Sequence, residues 1–390
     1  MYAIKEKMED IYNTLIKNKK LSALGLLTGK CGEMLFIQKY SEFINIDISA
    51  YLEETIEDLC INFNTSWHPS FSNGKAGVNY YFSNLFKNGM LSKYDYDMLS
   101  SDDSHLKHIS LTLLKNGNYD FLHGSLGIAY YILHSTVPTD FIYFNQLFKE
   151  LSEITTTDTN FLFHNYDHIN QVVEKNKINL GLAHGLPSIL KFCLSCYKFK
   201  VCENHAKLIS NIIIKFMLNV ASNPIDNCAF PSIYVKDEPL QVSKRLAWCY
   251  GDLGIGLILY QAAITLEDNE LLLFASNLLI QSTQRTKVED TLIYDGGICH
   301  GSAGAAHIYN KMWNYTGETE YKLASAFWIK KTLEFAKYQD GLAGFKKYNS
   351  MLKIHQNDFG ILEGIAGIGL VLYSYITNDF SWDYCLMIND

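Results

Sequence analysis

The chain has 390 residues, of which 48% are hydrophobic and 19% charged, a composition that fits a folded protein and excludes a disordered one. Its formal net charge is −8, without a clustered stripe of lysine and arginine, which argues against nucleic acid or an anionic membrane as the main partner. No apolar stretch approaches the about eighteen residues of a transmembrane helix, so we expect no membrane span.

The first element of the chain is predicted to be a surface helix. Residues 1–20 mix both signs of charge at helical spacing and lack the apolar core of a signal peptide. The nine cysteines form an odd set, which is not typical of a disulfide framework in a chain of this length. Together these features favour thiol or metal chemistry in a reducing compartment, and we expect a cytoplasmic protein.

A glycine-x-x-glycine turn followed by an apolar helical run recurs along the whole sequence, with one variant that ends at Ser188. The seven turns begin at Gly29, Gly74, Gly124, Gly185, Gly251, Gly301 and Gly364. Consecutive turns are 45 to 66 residues apart, and each interval can hold two helices with loops. The pattern therefore predicts seven helix pairs.

The runs after the turns, such as 128–133 and 255–260, are apolar throughout, which predicts inner helices that pack on both sides. Segments between them, such as 269–284 and 319–338, alternate apolar and polar residues at a period of about 3.6, as outer helices do. Since glycine allows tight turns and close helix contacts, we expect the turns to lie together at one rim of a ring of inner helices. An ordinary bundle or an open solenoid is the alternative.

Two insertions interrupt the repeats, near 135–179 and 220–244. Both are rich in Thr, Asn, Asp, Pro and Tyr, and both are predicted to be irregular, with loops and short strands. Neither has the features of an independent domain. We therefore expect a single domain over 1–390.

The loops before the fifth and sixth turns carry the most reactive side chains. Cys249 stands two residues before its glycine turn, and Cys299 and His300 stand directly before the next. Two thiolates and one imidazole could converge on a zinc ion and leave its fourth position open for substrate. Because the cysteines are fifty residues apart, their spacing is not that of a usual zinc motif. On the residues alone, structural cysteines and a core histidine remain an open alternative.

Other cysteine and histidine residues give weaker signals. Cys193 and Cys196 have metal-like spacing, but they fall within a predicted buried helix, where cysteine behaves as a small apolar residue. His123 and His307 lie near turns as well. We expect all four side chains to point into packing.

Four further residues could act beside the cysteines. Asp120 and His184 precede the third and fourth turns, and Arg245 and Tyr250 flank Cys249. Taken singly, an aspartate before a helix is often a cap, and a histidine or arginine is often solvated. Their shared place at the turns is what makes them candidates for a common site.

The motifs WCYG, CHG and LAHG, set on seven glycine turns, resemble the lanthionine synthetase C-like family. The resemblance covers 21–373 and implies an all-α fold, an α/α toroid of seven inner and seven outer helices with one zinc ion per chain. By position in the motifs, the implied zinc ligands are Cys249, Cys299 and His300, and the implied residues around the metal are His184, Asp120, Arg245 and Tyr250. Ser188 departs from the family's glycine, which puts the local turn geometry in question.

The family implies a zinc-dependent lanthipeptide cyclase, which adds cysteine thiols of a dehydrated precursor peptide to dehydroalanine or dehydrobutyrine and forms (methyl)lanthionine thioether rings. His184 is the expected proton donor, with Asp120 orienting it, Arg245 stabilising the oxyanion and Tyr250 positioning donor or substrate. No long dehydratase or kinase region precedes the repeats, so we expect the stand-alone type. A lanthipeptide dehydratase and an exporter are the partners with which it could form a biosynthetic complex.

Two other functions are compatible with parts of the pattern. One is a zinc-containing scaffold of the same fold that binds glutathione or a peptide without cyclising it. The other is a glycosidase, which would need two facing carboxylates, for instance Asp120 with Asp252 or Glu363. The glycosidase would explain neither cysteine.

Overall fold

The computed structural model describes residues 1–18, 23–63, 68–100, 103–135, 139–156, 163–221 and 228–389. These residues form two compact units, one of 1–82 with 292–389 and one of 83–291. Within the described ranges, no helix is both long and apolar enough to cross a bilayer.

A helix follows each of the glycine turns. These helices are α2 (Lys30–Ile44), α4 (Lys75–Lys87), α7 (Ser125–His134), α9 (Leu186–Lys198), α11 (Asp252–Leu266), α14 (Ser302–Thr316) and α16 (Ile365–Thr377). The other helices are α1 (Tyr2–Ile16), α3 (Ser49–Phe63), α5 (Lys93–Leu99), α6 (Asp103–Lys115), α8 (Phe141–Thr156), α10 (Glu203–Val220), α12 (Asn269–Ser282), α13 (Val288–Thr291) and α15 (Thr319–Glu334). A 3-10 helix, Asp383–Leu386, follows α16.

The strands of the described residues form three small antiparallel pairs. They are β1 (Asn165–Asp167) with β2 (Val172–Glu174), β3 (Lys177–Asn179) with β4 (Ile233–Val235), and β5 (Lys347–Asn349) with β6 (Ile354–Gln356). Each pair connects helices and none forms a core layer.

The glycine turn is closed by its own backbone. At the starts of α2, α4, α7, α14 and α16, the first residue of the helix donates its N–H to a carbonyl seven residues earlier, as Ser125 does to Asn118 and Ser302 to Asp295, both at 3.0 Å. The second glycine lies against another carbonyl of the same turn. A Cβ at Gly304 would collide with the carbonyl of Ile298. The sequence motif therefore encodes a tight start to each helix.

The fourth turn keeps an extended first glycine although Ser188 replaces the second glycine. Ser188 is 1% exposed, and its hydroxyl donates to the carbonyl of Gly185 at 2.7 Å. Gly185 has the extended backbone, at φ −140°, that Gly29 has at φ −147°. The serine thus fits the turn, and α9 begins directly after Gly185 as expected.

The inner helices are buried on all sides and the outer helices on one. In α7 every residue from Ser125 to Leu133 is buried, whereas in α12 burial is confined to a stripe. In the unit 83–291, α6 packs on α7, α10 on α9 and α12 on α11, and in the other unit α15 packs on α14. The pairing of helices is confirmed, although α12 and α15 end a few residues before the predicted 284 and 338.

The prediction that 135–179 is irregular is wrong for Phe141–Thr156, which form the helix α8. Its buried residues Phe144, Leu147, Phe148 and Leu151 follow the spacing of one helix face, and α8 packs against α6 and α10. The polar composition of the whole insertion obscured this short stripe.

The helix α1 is amphipathic, with one face on α2 and α16, as a surface helix requires.

Candidate active site

The site in the unit 83–291 is organised around a buried carboxylate. Asp120, in the loop before α7, is 3% exposed, and its Oδ2 lies 2.6 Å from Nδ1 of His184, in the loop before α9. Its Oδ1 accepts the backbone N–H of His123 at 2.6 Å. Because the carboxylate engages Nδ1, Nε2 of His184 is the nitrogen that can exchange a proton with a substrate.

The same contacts set the charge state of the pair. Burial alone would raise the pKa of Asp120, but the positive charge and hydrogen bonds of His184 and His168 outweigh it and hold that pKa far below the usual value. Burial alone would lower the pKa of His184, but Asp120 outweighs it, with a smaller contribution from Cys249, and the pKa is raised. An ionised aspartate therefore favours a protonated histidine.

A second histidine contacts Asp120 and escaped the sequence analysis. His168 lies in the turn between β1 and β2, and its Nε2 is 3.2 Å from Oδ2 of Asp120. His123 is half-buried rather than packed in the core, with its ring 5.5 Å from that of His168 and 6.1 Å from that of His184. The expectation for His123 was wrong. Neither contact follows a sequence spacing, because the hairpin that carries His168 is an insertion between repeats.

Tyr250 reaches this cluster as expected. Its hydroxyl accepts a hydrogen bond from the side-chain amide of Asn179 at 3.1 Å, and its ring centre is 6.5 Å from that of His184. Gly181 makes this approach possible, because a Cβ there would lie 2.6 Å from Cε1 of Tyr250 and 2.7 Å from the carbonyl oxygen of Cys249. The fourth turn and the WCYG loop thus fit together only with glycine at 181.

Cys249 and Arg245 belong to the loop before α11. Cys249 is 4% exposed and electrostatically coupled to His184. Arg245 is half-buried, and its backbone N–H donates to the hydroxyl of Ser243 at 3.3 Å. Arg245 lies six residues before Gly251, the first glycine of the fifth turn. Asn179 has the same position relative to Gly185, the first glycine of the fourth turn.

Asp252, proposed above as a glycosidase carboxylate, is a structural group. It is fully buried, accepts the backbone N–H groups of Ala229 and Phe230, and pairs with Nη1 of Arg285 at 3.2 Å. Burial raises its pKa to about 6, against the opposing effect of Arg285. A carboxylate enclosed in this way cannot face a sugar, which removes Asp252 from the glycosidase alternative.

The other unit carries Cys299 and His300 on one loop. The N–H of Cys299 donates to the carbonyl of Leu362 at 2.7 Å, which fixes the loop against the last glycine turn. Nε2 of His300 lies 3.7 Å from Oε1 of Glu363, whose Oε2 pairs with Lys347 at 2.7 Å. A carboxylate beside one ring nitrogen is the environment that metal-binding histidines usually have.

The donor chemistry of these loops suits zinc. Cys249 of the unit 83–291 offers one thiol, and Cys299 and His300 of the other unit offer a second thiol and an imidazole, with Cys249 buried and the other two half-buried. Three such ligands match a catalytic zinc site with an open position.

Cys193 and Cys196 differ from these candidate ligands, since both are fully buried in α9 and burial raises the pKa of both thiols. They are core residues, as expected.

His307 is also a core residue, as expected. It is 1% exposed, and its Nε2 lies 2.9 Å from Oδ2 of Asp383. Lys311 pairs with the same oxygen at 2.8 Å. This triad joins α14 to the 3-10 helix and has no role in the site.

The fold and these loops together define an all-α repeat protein with thiol, imidazole and carboxylate groups at the starts of its helices. The family model described as "Lanthionine synthetase C-like protein" matches residues 22–387, so the chain belongs to the lanthionine synthetase C-like family. The family assignment made from the motifs is confirmed.

Two individual proteins are similar to the chain. The "Nisin biosynthesis protein NisC" of Lactococcus lactis subsp. lactis is 27% identical over 227 residues, which are 55% of this chain, and the chain spans 49% of that relative. A solved structure named "Nisin cyclase" matches with a TM-score of 0.77 and 20% identity, covering 100% of this chain and 98% of that one. This likeness confirms the predicted fold class, the all-α α/α toroid.

Proposed function

We propose that this protein is a cytoplasmic, zinc-dependent lanthipeptide cyclase that joins cysteine thiols of a dehydrated precursor peptide to dehydroalanine or dehydrobutyrine. The observation that carries the proposal is the Asp120–His184 pair, a polarised acid–base group beside the loop of Cys249 in a member of the lanthionine synthetase C-like family. The similar nisin proteins are named for a cyclase and for nisin biosynthesis, which supports a peptide substrate.

Cys249, Cys299 and His300 would hold the zinc. Their donor set and partial burial support this assignment. Bound zinc would supply the positive charge that keeps a substrate thiol ionised at neutral pH, where a free thiol with a pKa of about 8.5 is mostly protonated. Glu363, held by Lys347, would orient the ring of His300.

The residues of the chain would then handle the proton. Attack of the sulfur electron pair on the β-carbon forms the C–S bond and moves the alkene electrons onto the amide carbonyl, which gives an enolate. Nε2 of His184 would donate its proton to the α-carbon and complete the thioether. Asp120 holds Nδ1 of the same ring, so it fixes the tautomer and stabilises the protonated form before transfer.

Arg245 and Tyr250 would act on charge and position. The guanidinium group of Arg245 stays protonated at any working pH and would stabilise the developing oxyanion. Tyr250 is held by Asn179 close to His184 and would keep the donor ring or the substrate in place.

The proposal is tested by adding purified protein to a dehydrated peptide that contains cysteine. Ring formation changes no mass, so remaining thiols are alkylated before mass spectrometry, and zinc is measured by elemental analysis. We expect about one zinc per chain and loss of alkylatable thiol. A zinc-loaded protein that binds the peptide but leaves its thiols free would instead support the non-cyclising scaffold. Protein that retains no zinc after reconstitution would contradict both functions.

A further inference from the structure

One carboxylate oxygen of Asp120, Oδ2, contacts two imidazole rings. Oδ2 lies 2.6 Å from Nδ1 of His184 and 3.2 Å from Nε2 of His168, and the two nitrogens are within 4.8 Å of each other. His168 also lowers the pKa of Asp120 through its hydrogen bond and charge. The direct distance between Asp120 and His184 is that of a short hydrogen bond, which leaves no room for an ion between them.

The hairpin that carries His168 is built to fix its position. Oδ1 of Asp167 accepts the backbone N–H groups of Ile169 and Asn170 at 2.9 and 3.1 Å, which closes the turn around His168. The hairpin is anchored at its base, where the Asn165 amide donates to Glu174 at 2.6 Å. These contacts hold the turn in one conformation, as the side chains of Asx turns do.

The base of the hairpin also leads to Tyr250. The side-chain amide of Asn179 donates both to Oδ1 of Asn165 and to the hydroxyl of Tyr250, each at 3.1 Å. The tip of the hairpin therefore contacts Asp120 through His168, and its base is linked through Asn179 to Tyr250, whose ring centre is 6.5 Å from that of His184.

We propose that His168 is a positioning residue of the cyclase, which acts through Asp120 on the proton donor His184. This inference rests on the proposed function. With His123 on Oδ1 and two imidazoles on Oδ2, the carboxylate is bonded on both oxygens and cannot rotate away from His184. Removing His168 leaves His184 as the single side-chain donor to Oδ2 among the residues that the structure describes, so the donor ring loses its fixed orientation while zinc binding is untouched.

The activity test compares His168→Leu with His168→Gln. The amide nitrogen of glutamine can take the place of Nε2 as a hydrogen-bond donor, whereas leucine cannot donate. We expect His168→Leu to lower kcat by about tenfold to a hundredfold, the loss that a slight misplacement of a reacting group causes, with KM and zinc content unchanged. His168→Gln should recover most of that loss. His205→Leu, at an exposed histidine on α10, is the matched control and should leave kcat unchanged.

Three results would overturn the role. His168→Leu with full kcat would show that the contact between His168 and Asp120 does not contribute to turnover. A raised KM with unchanged kcat would make His168 a substrate contact. Equal damage in His168→Gln and His168→Leu would mean that the imidazole itself, and not its hydrogen bond, is required.

A second measurement needs no substrate. The Nδ1–H proton of His184 should give a far-downfield NMR signal because it is bonded to a carboxylate, and its absence in His184→Asn assigns it. In His168→Leu this signal should broaden or shift, and in His168→Gln it should return. An unchanged signal in His168→Leu would refute the proposal. If wild-type protein cyclises no dehydrated peptide, the proposed function fails, but this measurement still decides whether His168 positions the pair.

Discussion

At the scale of single residues, holding the metal and moving the proton are assigned to different loops, and so they should fail separately. Cys299 is one of only three proposed protein ligands, whereas His184 is bonded to Asp120. We expect Cys299→Ala to lose zinc and cyclisation together. We expect His184→Asn to keep its zinc while turnover falls by about 100- to 10,000-fold, the usual worth of general acid–base assistance. Zinc analysis and the thiol-alkylation assay on the same samples measure both.

Two outcomes would contradict this assignment of zinc binding and proton transfer to different residues. Loss of zinc from His184→Asn would make the residue a ligand or a support of the ligands. Full activity with bound zinc would mean that another group, Arg245 or Tyr250, delivers the proton.

At the scale of elements, the loop that carries Cys249 and Tyr250 depends on a buried ion pair at the start of α11. Besides Asp252, Arg285 binds the carbonyls of Asp290 and Lys244, so it ties two loops to this helix. Arg285→Met should lower the free energy of unfolding by about 3–5 kcal/mol, because it leaves a buried carboxylate without its partner. Urea unfolding at pH 7.5 measures the loss.

The pH dependence of the Arg285→Met protein identifies the cause. Asp252 has a pKa of about 6 even with Arg285 present, against about 3.9 in an unfolded chain, so between these values the folded state binds the extra proton. The stability deficit of the variant relative to wild type should therefore shrink as the pH falls from 7.5 to 5.5. Adding Asp252→Asn should restore part of the stability at pH 7.5 and remove this change with pH. If the double variant is as unstable as the single one, the carbonyl contacts of Arg285 are what matters.

At the scale of the whole molecule, stability in mild acid should depend on the triad His307–Asp383–Lys311. Burial lowers the pKa of His307. Burial would raise the pKa of Asp383, but Lys311 and His307 outweigh it and the pKa is lowered. Both groups bind fewer protons in the folded chain than in the unfolded one, so stability is complete above pH of about 6.5 and is lost as the pH falls.

We expect the histidine to contribute a loss of up to about 1.4 kcal/mol per pH unit below its unfolded pKa. His307→Gln should unfold more easily at pH 7.5 but lose this part of the slope between pH 7.5 and 5.5, as measured by urea unfolding midpoints. His205→Gln, at an exposed position, should keep the wild-type slope. A slope that is identical in wild type and His307→Gln would show that other groups control acid unfolding.

Features that depend on residues close in the sequence could be predicted from it, and features that depend on distant contacts could not. A glycine turn is closed by residues seven apart, so the motif alone located the helix starts and, with them, Asp120 and His184. The contact of His168 with Asp120 depends on a hairpin 48 residues further along the chain, and no spacing encodes it. The helix α8 was not predicted because the polar composition of the whole insertion concealed the helical spacing of its apolar residues.

Because each turn closes on itself, the lengths between turns are free to change during evolution. The intervals already range from 45 to 66 residues, while the starts of α2, α4, α7, α14 and α16 share the same seven-residue backbone hydrogen bond. Doubling a flexible loop costs only about 0.6 kcal/mol, so the loops between turns can lengthen at little thermodynamic penalty. Variants that lengthen a loop between turns, outside the hairpin that carries His168, should therefore fold with the reacting groups in place.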